Sequence, residues 1–549
     1  MRDEHRTFEI EAVRRTVARA LHLEPGELQP DSDLFAFGLD SLTLIRLAGE
    51  WRREGVDVTF EDLIERPTLA DWFALLDERA PTEFRPDSMP ATTHLDAAAP
   101  YPLATMQHAY WTGRQDGQPL GGVGAHFYTE FDGSDLDPTR LRTALTALTH
   151  RHEMLRARFT DDATQYHAAP RDVAVDLVVH DLRAWAAEAV ERRLAELRDS
   201  WSHHRMDVAS GEVFRLGLTL LPAGRTRLHV DLDMMVGDAM SLRILLADLR
   251  HLYECPGLPL PAIDIGYGRY LAEHAAAGAQ ARTRARRWWT ERLADLPGPP
   301  ALPTVVDPLT PVHARDTALN HTRRLHHHLD PRAKTALFGR ARRHGVGPAA
   351  ALAAAFAEVI GAWSSHPKLL LNLPLFDREP LHPGVAHLVG DFSASIMLGV
   401  DTTQPVPFVD RARRVQEDMR AGVAHGAYGG VDVLRDLSRA TGEPVLAPVV
   451  FTSAIGLGEV FDERVQALFG APVWIVSQGP QVWLDAQVTE LDHGLLLNWD
   501  VREAMFAPGV PDAAFAAYRD LVGALVADDR AWRAPVGQLA PARRSGRPV

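Results

Sequence analysis

The sequence predicts a multidomain protein, in which a small all-α, four-helix bundle is followed by a larger α/β (α+β) part of two lobes. Three observations lead to this prediction. Residues 1–80 show short helical patterns and no strand signal, and residues 81–99 are rich in Pro, Thr, Ser and Ala without a periodic apolar face. From residue 100, helical stretches alternate with strand-like runs. We therefore expect a helical domain, a linker at 81–99 and a mixed domain after it.

The helical domain is predicted from the spacing of its apolar residues. Residues 7–21 have apolar side chains at near-helical intervals and arginines on the opposite face. After a polar loop, a second helix is expected from about Ser41, because apolar residues as far as Trp51 share one face. Residues 59–79 add one or two short helices that Pro67 interrupts. Short helices of this kind form a small bundle.

The mixed domain is expected to have two lobes. Helices are predicted at 141–159 and 241–253, and strands at 227–234 and 368–376. A charged stretch with proline-rich flanks, roughly 280–312, divides a length that is greater than one core normally supports. Two facing lobes would enclose a cleft or tunnel. The predicted bounds are 100–285 for the N-terminal lobe, 286–532 for the C-terminal lobe and 533–549 for a tail or linker.

Composition excludes several classes of function. The chain of 549 residues is 46% hydrophobic and 24% charged, as is typical of globular proteins. Its net charge of -15 and the lack of a basic block argue against nucleic-acid binding. The N-terminus is too charged for a signal peptide, and no apolar run reaches the length of a membrane span. Cys255 is the only cysteine, which excludes an intramolecular disulfide and favours the reducing cytoplasm.

The segment FGLDSL places Ser41 at the start of a predicted helix, after a turn that contains Gly38 and Asp40. Free backbone N–H groups and the positive end of the helix dipole suit an attached phosphate there. Taken alone, the motif favours the commoner role of a helix N-cap for this serine. The surrounding 80 residues, however, resemble the acyl, peptidyl and aryl carrier family. The resemblance implies that Ser41 receives 4'-phosphopantetheine from a phosphopantetheinyl transferase and that Asp40 assists recognition.

From residue 101, the chain resembles the heterocyclization branch of the condensation-domain superfamily. The paired-histidine motif of condensation domains, HHxxxDG, is replaced by DMMVGDAMS, which contains Asp233 and Asp238. This double aspartate distinguishes heterocyclization domains from amide-forming relatives. Two departures are Ser393 and Gly479, where the family would have threonine. The other matching segments are YPLATMQHAYWTGR (101–114), RHEMLR (151–156), LAAAFAEVIGAWS (352–364), NLPLFDR (372–378), GDFS (390–393), PVVFTS (448–453) and SQGPQVWLD (477–485).

The resemblance implies a chloramphenicol-acetyltransferase-like pseudo-dimer of two lobes within a nonribosomal peptide synthetase. In the implied reaction, the amine of a carrier-bound cysteine, serine or threonine attacks the thioester held on Ser41. The side-chain thiol or hydroxyl then attacks the new amide, and loss of water leaves a thiazoline or oxazoline ring. These last steps need a group that transfers protons, and a carboxylic acid whose pKa is raised by burial suits them.

Asp485 and Thr452 are the candidate catalytic residues. Asp485 ends the alternating run QVWLD and would act as acid and base, while Thr452 in VVFTS would orient it or the hemiaminal. The resemblance assigns catalysis to the same two positions. Spacing alone does not bring them together, because 33 residues separate them. An Asp at a strand end is often a turn or cap residue, and a Thr in a strand is often only a strand former.

Four further residues are expected to shape the active site. Asp238 is expected to pair with an arginine and hold its loop, with Asp233 as a second structural carboxylate; a direct catalytic part for either is the less favoured alternative. Gln481 and Ser477 are expected to line the same cavity through hydrogen bonds. No metal site is predicted, because the three histidines at 326–328 point in different directions and are interpreted as a surface strand edge.

The expected partners follow from domain order, which resembles the loading section of pyochelin-type siderophore synthetases. A stand-alone aryl-acid adenylating enzyme is expected to load the carrier, and downstream adenylation and carrier domains to present the acceptor. Cysteine as the acceptor follows from that comparison only, and serine or threonine remains open. Two alternative functions are less favoured by the sequence. The missing histidine pair argues against a condensation domain that stops at the amide, and Thr452 with Asp485 argues against a non-catalytic docking module.

Overall fold

A computed structural model describes residues 10–536, except residues 22, 40, 57 and 80–98. Most of the predicted linker and tail, together with Asp40, lie outside these described residues.

The N-terminal part contains two short 3-10 helices, Pro25–Glu27 and Leu34–Phe37. Its described α-helices are α1 (Ile10–Ala20), α2 (Ser41–Arg53), α3 (Phe60–Ile64) and α4 (Leu69–Glu78).

Apolar faces hold these helices together, as the spacing of their residues predicts. The inner face of α1 is buried, and Trp51 of α2 packs edge-on against Trp72 of α4 with ring centroids 5.7 Å apart. Thr68 caps the start of α4, because its hydroxyl accepts a hydrogen bond from the backbone N–H of Asp71. Local spacing and one cap residue therefore account for much of this helical domain.

The first lobe mixes helices and strands, as predicted. Its helices are α5 (Thr105–Gly113), α6 (Pro138–Arg151), α7 (Ala187–Ser202), α8 (Ala239–Glu254), α9 (Tyr267–Ala277) and α10 (Ala279–Thr290). Its strands are β1 (Tyr101–Pro102), β2 (Gln118–Pro119), β3 (His126–Ser134), β4 (Ala157–Phe159), β5 (Thr164–His167), β6 (Leu177–Asp181), β7 (Phe214–Leu220) and β8 (Arg225–Asp233).

The second lobe has the same mixed character. Its helices are α11 (Thr317–Asn320), α12 (Pro331–Arg343), α13 (Pro348–Trp363), α14 (Phe408–Ala424), α15 (Gly430–Thr441), α16 (Glu463–Phe469), α17 (Val510–Ala527) and α18 (Asp529–Arg533). Its strands are β9 (Pro311–Val312), β10 (Thr322–Leu329), β11 (Lys368–Phe376), β12 (Ser393–Asp401), β13 (Val449–Ser453), β14 (Ala471–Gln478), β15 (Leu484–Leu491) and β16 (Gly494–Arg502).

A six-stranded sheet forms the centre of the second lobe, with the order β10-β16-β15-β13-β11-β12. The strands β11, β13 and β15 pair in parallel, whereas β10, β12 and β16 pair antiparallel with their neighbours. Every residue of β16 is buried, and the helices α12, α13 and α17 pack against this sheet. The buried strands of this sheet carry the polar residues described below.

The five-stranded sheet of the first lobe has the order β14-β3-β8-β7-β6. Its edge strand β14 comes from the segment assigned to the C-terminal lobe, yet it pairs antiparallel with β3. The predicted division at residues 285 and 286 therefore does not separate the two sheets. The partner of a strand is set by side-chain packing across the fold, which the local pattern of β14 does not specify.

The predicted helix at 141–159 is too long. Helix α6 ends at Arg151, and a 3-10 helix, Glu153–Arg156, leads into β4. The guanidinium of Arg156 donates hydrogen bonds of 2.7 and 2.8 Å to the carbonyl oxygens of Thr149 and His150, which satisfies the end of the helix. The predictions at 241–253, 227–234 and 368–376 are confirmed by α8, β8 and β11.

No single helix in the described part of the chain is both long and apolar enough to cross a membrane. The helices α12 and α13 meet the criterion only when taken together, and they are bent by 94° at their junction.

The N-terminal domain lies against the second lobe. Arg52 Nη1 of α2 is 3.2 Å from Glu379 Oε1 across this contact. A Cβ on Gly49 would lie 2.4 Å from Pro380 Cγ, so a larger residue at this position would displace the proline. The contact lies just beyond the end of β11, where Phe376 lines the cavity between the lobes.

Candidate active site

A cavity of about 230 Å³ lies between the two lobes. The first lobe contributes wall residues from α5, β3 and α8, and the second lobe contributes them from its six-stranded sheet. Apolar side chains such as Met106, Phe127 and Leu457 form part of the wall. Polar side chains gather on the sheet of the second lobe. They include Arg324, Asn372, Thr452, Asp485, Gln487, Asn498 and Asp500.

Thr452 and Asp485 meet on neighbouring parallel strands, β13 and β15. Val450 lies opposite Asp485 in the pairing, and Thr452 lies two residues further along on the same face. Thr452 Oγ1 donates a hydrogen bond of 2.9 Å to Asp485 Oδ1, and both side chains line the cavity. The fold therefore brings together the two predicted catalytic residues.

Asp485 has a pKa suited to proton transfer. Burial between the lobes raises the pKa of Asp485 to about 6, and the nearby Asp500 carboxylate adds to the rise. Hydrogen bonds from Gln487 and Thr452 to the carboxylate oppose this rise. Because Asp485 lines the cavity, a bound substrate can reach it. Such a carboxyl group can take up and release protons near neutral pH.

A network of polar side chains positions the Asp485 carboxylate. Gln487 Nε2 donates a hydrogen bond of 2.6 Å to Asp485 Oδ2. The amide oxygen of Gln487 accepts from Asn498 Nδ2 at 3.1 Å, which orients the amide. Arg324 forms two hydrogen bonds with Asp500, at 2.7 and 2.5 Å, in a buried ion pair. The network holds both oxygens of Asp485 in place and balances the charge of Asp500.

Asp233 is fully buried at the end of β8 and is not among the residues that line the cavity. Its Oδ2 lies 3.1 Å from Arg114 Nη1, and its Oδ1 accepts a hydrogen bond of 3.0 Å from the backbone N–H of Met235. Burial raises the pKa of Asp233, and the neighbouring Arg114 opposes this rise. The carboxylate therefore joins the end of α5 to the loop after β8.

Asp238 caps the N-terminus of helix α8 and lines the cavity. Its Oδ1 accepts a hydrogen bond of 2.7 Å from the backbone N–H of Ser241 and lies 3.0 Å from Arg378 Nη2. The guanidinium of Arg378 also stacks over the ring of Phe392, 3.7 Å from its centroid. An arginine partner is what the family resemblance implies for this position.

Ser477 and Gln481 differ in their relation to the cavity. Ser477 lines it, and its backbone N–H donates a hydrogen bond of 3.1 Å to Asp500 Oδ2. Gln481 is not among the lining residues. It has a left-handed φ of 61°, which is uncommon for a residue other than glycine, and its N–H donates to the carbonyl oxygen of Leu120 at 3.0 Å. Gln481 thus shapes the turn that leads into β15.

Ser41 is the first residue of helix α2, which is 13 residues long. Gly38 precedes it with a left-handed φ of 95° and ends a 3-10 helix. The backbone of Ser41 thus stands at a helix N-terminus, where free N–H groups favour a phosphate. This position fits an attached phosphopantetheine. The side chain of Ser41, like the whole of Asp40, lies outside the described residues.

Two family models match the chain. The model described as the condensation domain matches residues 98–506, and the one described as the phosphopantetheine attachment site matches residues 11–76. The chain belongs to the condensation-domain family. Its condensation-family domain follows a carrier domain, for which phosphopantetheine is the cofactor.

Relatives place this condensation-family domain in the heterocyclization branch. Phenyloxazoline synthase MbtB of Mycolicibacterium paratuberculosis is 48% identical over 97% of this chain and 45% of that protein. Pyochelin synthetase PchE of Pseudomonas aeruginosa is 36% identical over 92% of this chain and 34% of that protein. The crystal structure of the EpoB cyclization-docking bidomain from Sorangium cellulosum matches with a TM-score of 0.70 and 33% identity, over 79% of this chain and 86% of that one. The chain therefore spans less than half the length of the two synthetases.

Some polar residues of the cavity between the lobes were not predicted from the sequence. Asn498 and Asp500 carried a usable signal, because they interrupt the apolar strand GLLLNWDVR, all of which is buried. A polar residue in such a strand needs a partner. Arg324 and Gln487 gave no comparable signal, since alternation of polar and apolar residues is ordinary in a strand.

The remaining sequence features also have defined places in the condensation-family fold. Ser393 and Gly479, the two departures from the family pattern, both line the cavity. The histidines at 326–328 lie on β10, which is an edge strand of the six-stranded sheet, and this confirms their interpretation as a strand edge.

Proposed function

We propose that this chain is the part of a nonribosomal peptide synthetase that joins an acyl group on Ser41 to an amino acid on a downstream carrier and then closes an oxazoline or thiazoline ring. The phosphopantetheine arm supplies the thiol that holds the acyl group as a thioester. One observation carries the proposal: the hydrogen-bonded pair Thr452 and Asp485 lies inside the cavity between the lobes.

An aryl acyl group and an oxazoline ring are the substrate and product that the relatives favour. The chain is 48% identical to a phenyloxazoline synthase and 36% identical to a pyochelin synthetase. We therefore place serine or threonine ahead of cysteine as the acceptor, which reverses the order expected from the sequence. The apolar wall residues Met106, Phe127 and Leu457 suit an aromatic ring.

Asp485 can move the protons that ring closure requires. The ionised carboxylate accepts the proton of the attacking hydroxyl or thiol and passes it to the amide oxygen, which becomes the hydroxyl of a hemiaminal. Asp485 then accepts the proton of the nitrogen and delivers it to that hydroxyl. The bond between the hemiaminal carbon and its protonated hydroxyl breaks, water leaves and a C=N bond forms. Hydrogen bonds from Thr452 and Gln487 keep the carboxylate oriented throughout.

The proposed partners follow from this reaction. A phosphopantetheinyl transferase modifies Ser41, a stand-alone aryl-acid adenylating enzyme loads it, and downstream adenylation and carrier domains present the acceptor. We place the protein in the cytoplasm, where its single cysteine suits reducing conditions.

The proposal also includes the detailed fold of each part. We propose that the carrier domain is a four-helix bundle and that the two lobes form a chloramphenicol-acetyltransferase-like pseudo-dimer.

The mass of the product tests the proposed reaction. Ser41 is loaded with an aryl thioester through phosphopantetheine, and the protein is mixed with an acceptor carrier that bears serine, threonine or cysteine. A product one water lighter than the amide is the expected result, formed faster with serine or threonine than with cysteine. An uncyclised amide would mean a condensation domain only, and no transfer would mean a docking module; either result would refute the proposal. Ser41→Ala serves as the unloaded control.

A further inference from the structure

A second buried carboxyl group, that of Asp391, lies just before β12 and takes no part in the reaction steps above. Only 2% of Asp391 is exposed. Its Oδ1 accepts a hydrogen bond of 3.0 Å from the backbone N–H of Ser393. Its Oδ2 is buried and has no hydrogen-bond partner among the described residues. Because a buried oxygen without a partner costs stability, this carboxyl group calls for a functional explanation.

Two hydroxyl groups connect the Asp391 carboxyl group to the cavity. Ser393 begins β12 in the second lobe and Tyr110 lies on α5 in the first, and both line the cavity wall. The Ser393 hydroxyl forms hydrogen bonds with the Asp391 carboxyl group and with the Tyr110 phenol. A hydroxyl group can donate one hydrogen bond while it accepts another. The three side chains therefore form a continuous path for a proton from the cavity to a buried carboxylate.

The charges around Asp391 suit a proton acceptor. Burial raises the pKa of Asp391 to about 7, hydrogen bonds from Ser393 oppose this rise, and the Asp238 carboxylate adds to it. The charge of Arg378 also opposes the rise, but this guanidinium already pairs with Asp238 at 3.0 Å. The Tyr267 hydroxyl donates to the backbone carbonyl oxygen of Asp391, and burial keeps it neutral by raising its pKa. Asp391 can thus accept a proton near neutral pH and release it again.

Tyr110 is the member of this path that a substrate can contact. Burial raises the pKa of its phenol well above the usual range, and the charges of Asp391 and Asp485 add to the rise. The phenol therefore stays neutral, and its oxygen can accept a proton while its own proton passes to Ser393. The cavity thus offers two carboxyl groups, since Asp485 lines the wall directly and Asp391 lies behind Tyr110.

We propose that Tyr110, Ser393 and Asp391 form a proton relay for amide formation, whereas Asp485 serves ring closure. The relay rests on the function proposed above, because the ammonium group of the acceptor must lose a proton before it can attack the thioester. Tyr110 accepts that proton and passes its own to Ser393, whose proton moves to the Asp391 carboxylate. The C–N bond then forms, the C–S bond of the thioester breaks, and the sulfur takes the second proton from nitrogen. Asp391 finally returns its proton to the solvent. Tyr110 is thus the catalytic residue, and Ser393 and Asp391 act through it.

Single-turnover kinetics of the full chain separate the two steps. Amide formation is followed from Ser41 loaded with an aryl thioester to an acceptor carrier that bears serine, and ring closure is followed from preformed amide. Asp391→Asn and Tyr110→Phe should slow amide formation by ~10²–10⁴-fold and alter ring closure by less than about 3-fold. Asp248→Asn, which changes a buried carboxyl group that does not line the cavity, is the matched control and should change neither step.

Position 393 allows a conservative comparison. Ser393→Ala removes the hydroxyl that joins Asp391 to Tyr110, whereas Ser393→Thr keeps one. Amide formation should therefore fall in Ser393→Ala and stay near the unaltered rate in Ser393→Thr. A merely structural role for this hydroxyl would slow both steps alike. These two variants keep the test valid if Asp391→Asn does not fold.

Infrared difference spectra of the protein without phosphopantetheine provide a measurement that does not depend on activity. A carboxyl band that titrates near pH 7 should be present in the unaltered protein, absent in Asp391→Asn and shifted to higher pH in Ser393→Ala. The relay is overturned if that band is missing from the unaltered protein. It is also overturned if Tyr110→Phe and Ser393→Ala form amide at the unaltered rate, or if they lose both steps equally. Absence of any amide from the unaltered protein would instead refute the proposed function, and the relay with it.

Discussion

Thr452 Oγ1 donates a hydrogen bond to Asp485 Oδ1 across two parallel strands, although 33 residues separate the two in the chain. Gln487 donates to the other carboxylate oxygen. Both oxygens of Asp485 are therefore held by neutral donors rather than by a cation. Burial raises the pKa of Asp485 to about 6, and the hydrogen bonds from the two neutral donors and the charge of Arg324 only partly oppose this rise. The pair thus combines fixed geometry with a carboxyl group that titrates near neutral pH.

Asp485→Asn should block ring closure and leave amide formation largely intact. Asparagine keeps the shape of the side chain but cannot carry a proton between the reacting atoms. Ring closure should fall by ~10²–10⁴-fold, and the uncyclised amide should accumulate in the mass spectrum. Asp520→Asn, at an exposed position on α17, is the matched control and should change neither step. Equal loss of both steps in Asp485→Asn would contradict the assigned role.

The rate of ring closure should fall as the pH drops through about 6. The cycle starts from ionised Asp485. Because burial disfavours the ionised form, Asp485 becomes protonated at a pH about two units above the pH at which an ordinary aspartate does. The measurement is single-turnover ring closure from preformed amide between pH 5 and 8. A midpoint near pH 4, or a rate that increases toward low pH, would contradict this assignment.

Thr452→Val should move that midpoint to higher pH. Valine has the shape of threonine but lacks the hydroxyl that stabilises ionised Asp485, so the pKa of Asp485 should rise further. Thr452→Ser retains a hydroxyl and should keep the midpoint near pH 6. The pH profile of ring closure distinguishes the two variants, and a purely structural role for Thr452 predicts slower ring closure with no change in midpoint.

Asp238→Ala should destabilise the protein more than the loss of an ordinary helix cap. It leaves the buried Arg378 without its ion-pair partner, which costs about 3–5 kcal/mol of unfolding free energy. Asp137→Ala removes the exposed cap of α6 and should cost about 1 kcal/mol. Urea unfolding followed by tryptophan fluorescence compares the two. Similar losses would mean that the pair with Arg378 does not hold this loop.

Arg52→Glu should slow acyl transfer from Ser41 by about 2- to 5-fold, as expected for loss of a partly exposed ion pair. Repulsion from Glu379 would weaken the contact between the carrier domain and the second lobe. The charge-swapped double variant Arg52→Glu with Glu379→Arg should recover the rate. Arg46→Glu, at an exposed position on α2, is the control. Failure of the double variant to recover would show that the ion pair does not guide the carrier.

Elements that depend on near neighbours in the chain were predictable. The helical spacing before Ser41 and after it, and the strand patterns at β8 and β11, are confirmed because apolar periodicity repeats within a few residues. The end of α6 was missed, since Arg156 satisfies its last carbonyl groups from beyond the helix. The pairing of β14 with the first-lobe sheet was also missed, because it joins strands more than 300 residues apart.

Residue types and their intervals predicted the helical domain and the mixed character of the larger part, and the resemblance to the condensation-domain superfamily indicated the candidate carboxylates. Only the tertiary structure decided which carboxylates line the cavity and which partners they have. Asp485 and Asp500 both line the cavity, but Asp500 is paired with Arg324 whereas Asp485 is held by neutral donors, and Asp233 is enclosed with Arg114 outside the cavity wall. The physical reason is that burial and ion pairing arise between strands and helices distant in the chain. The free energy of those contacts depends on packing that no short stretch of sequence encodes.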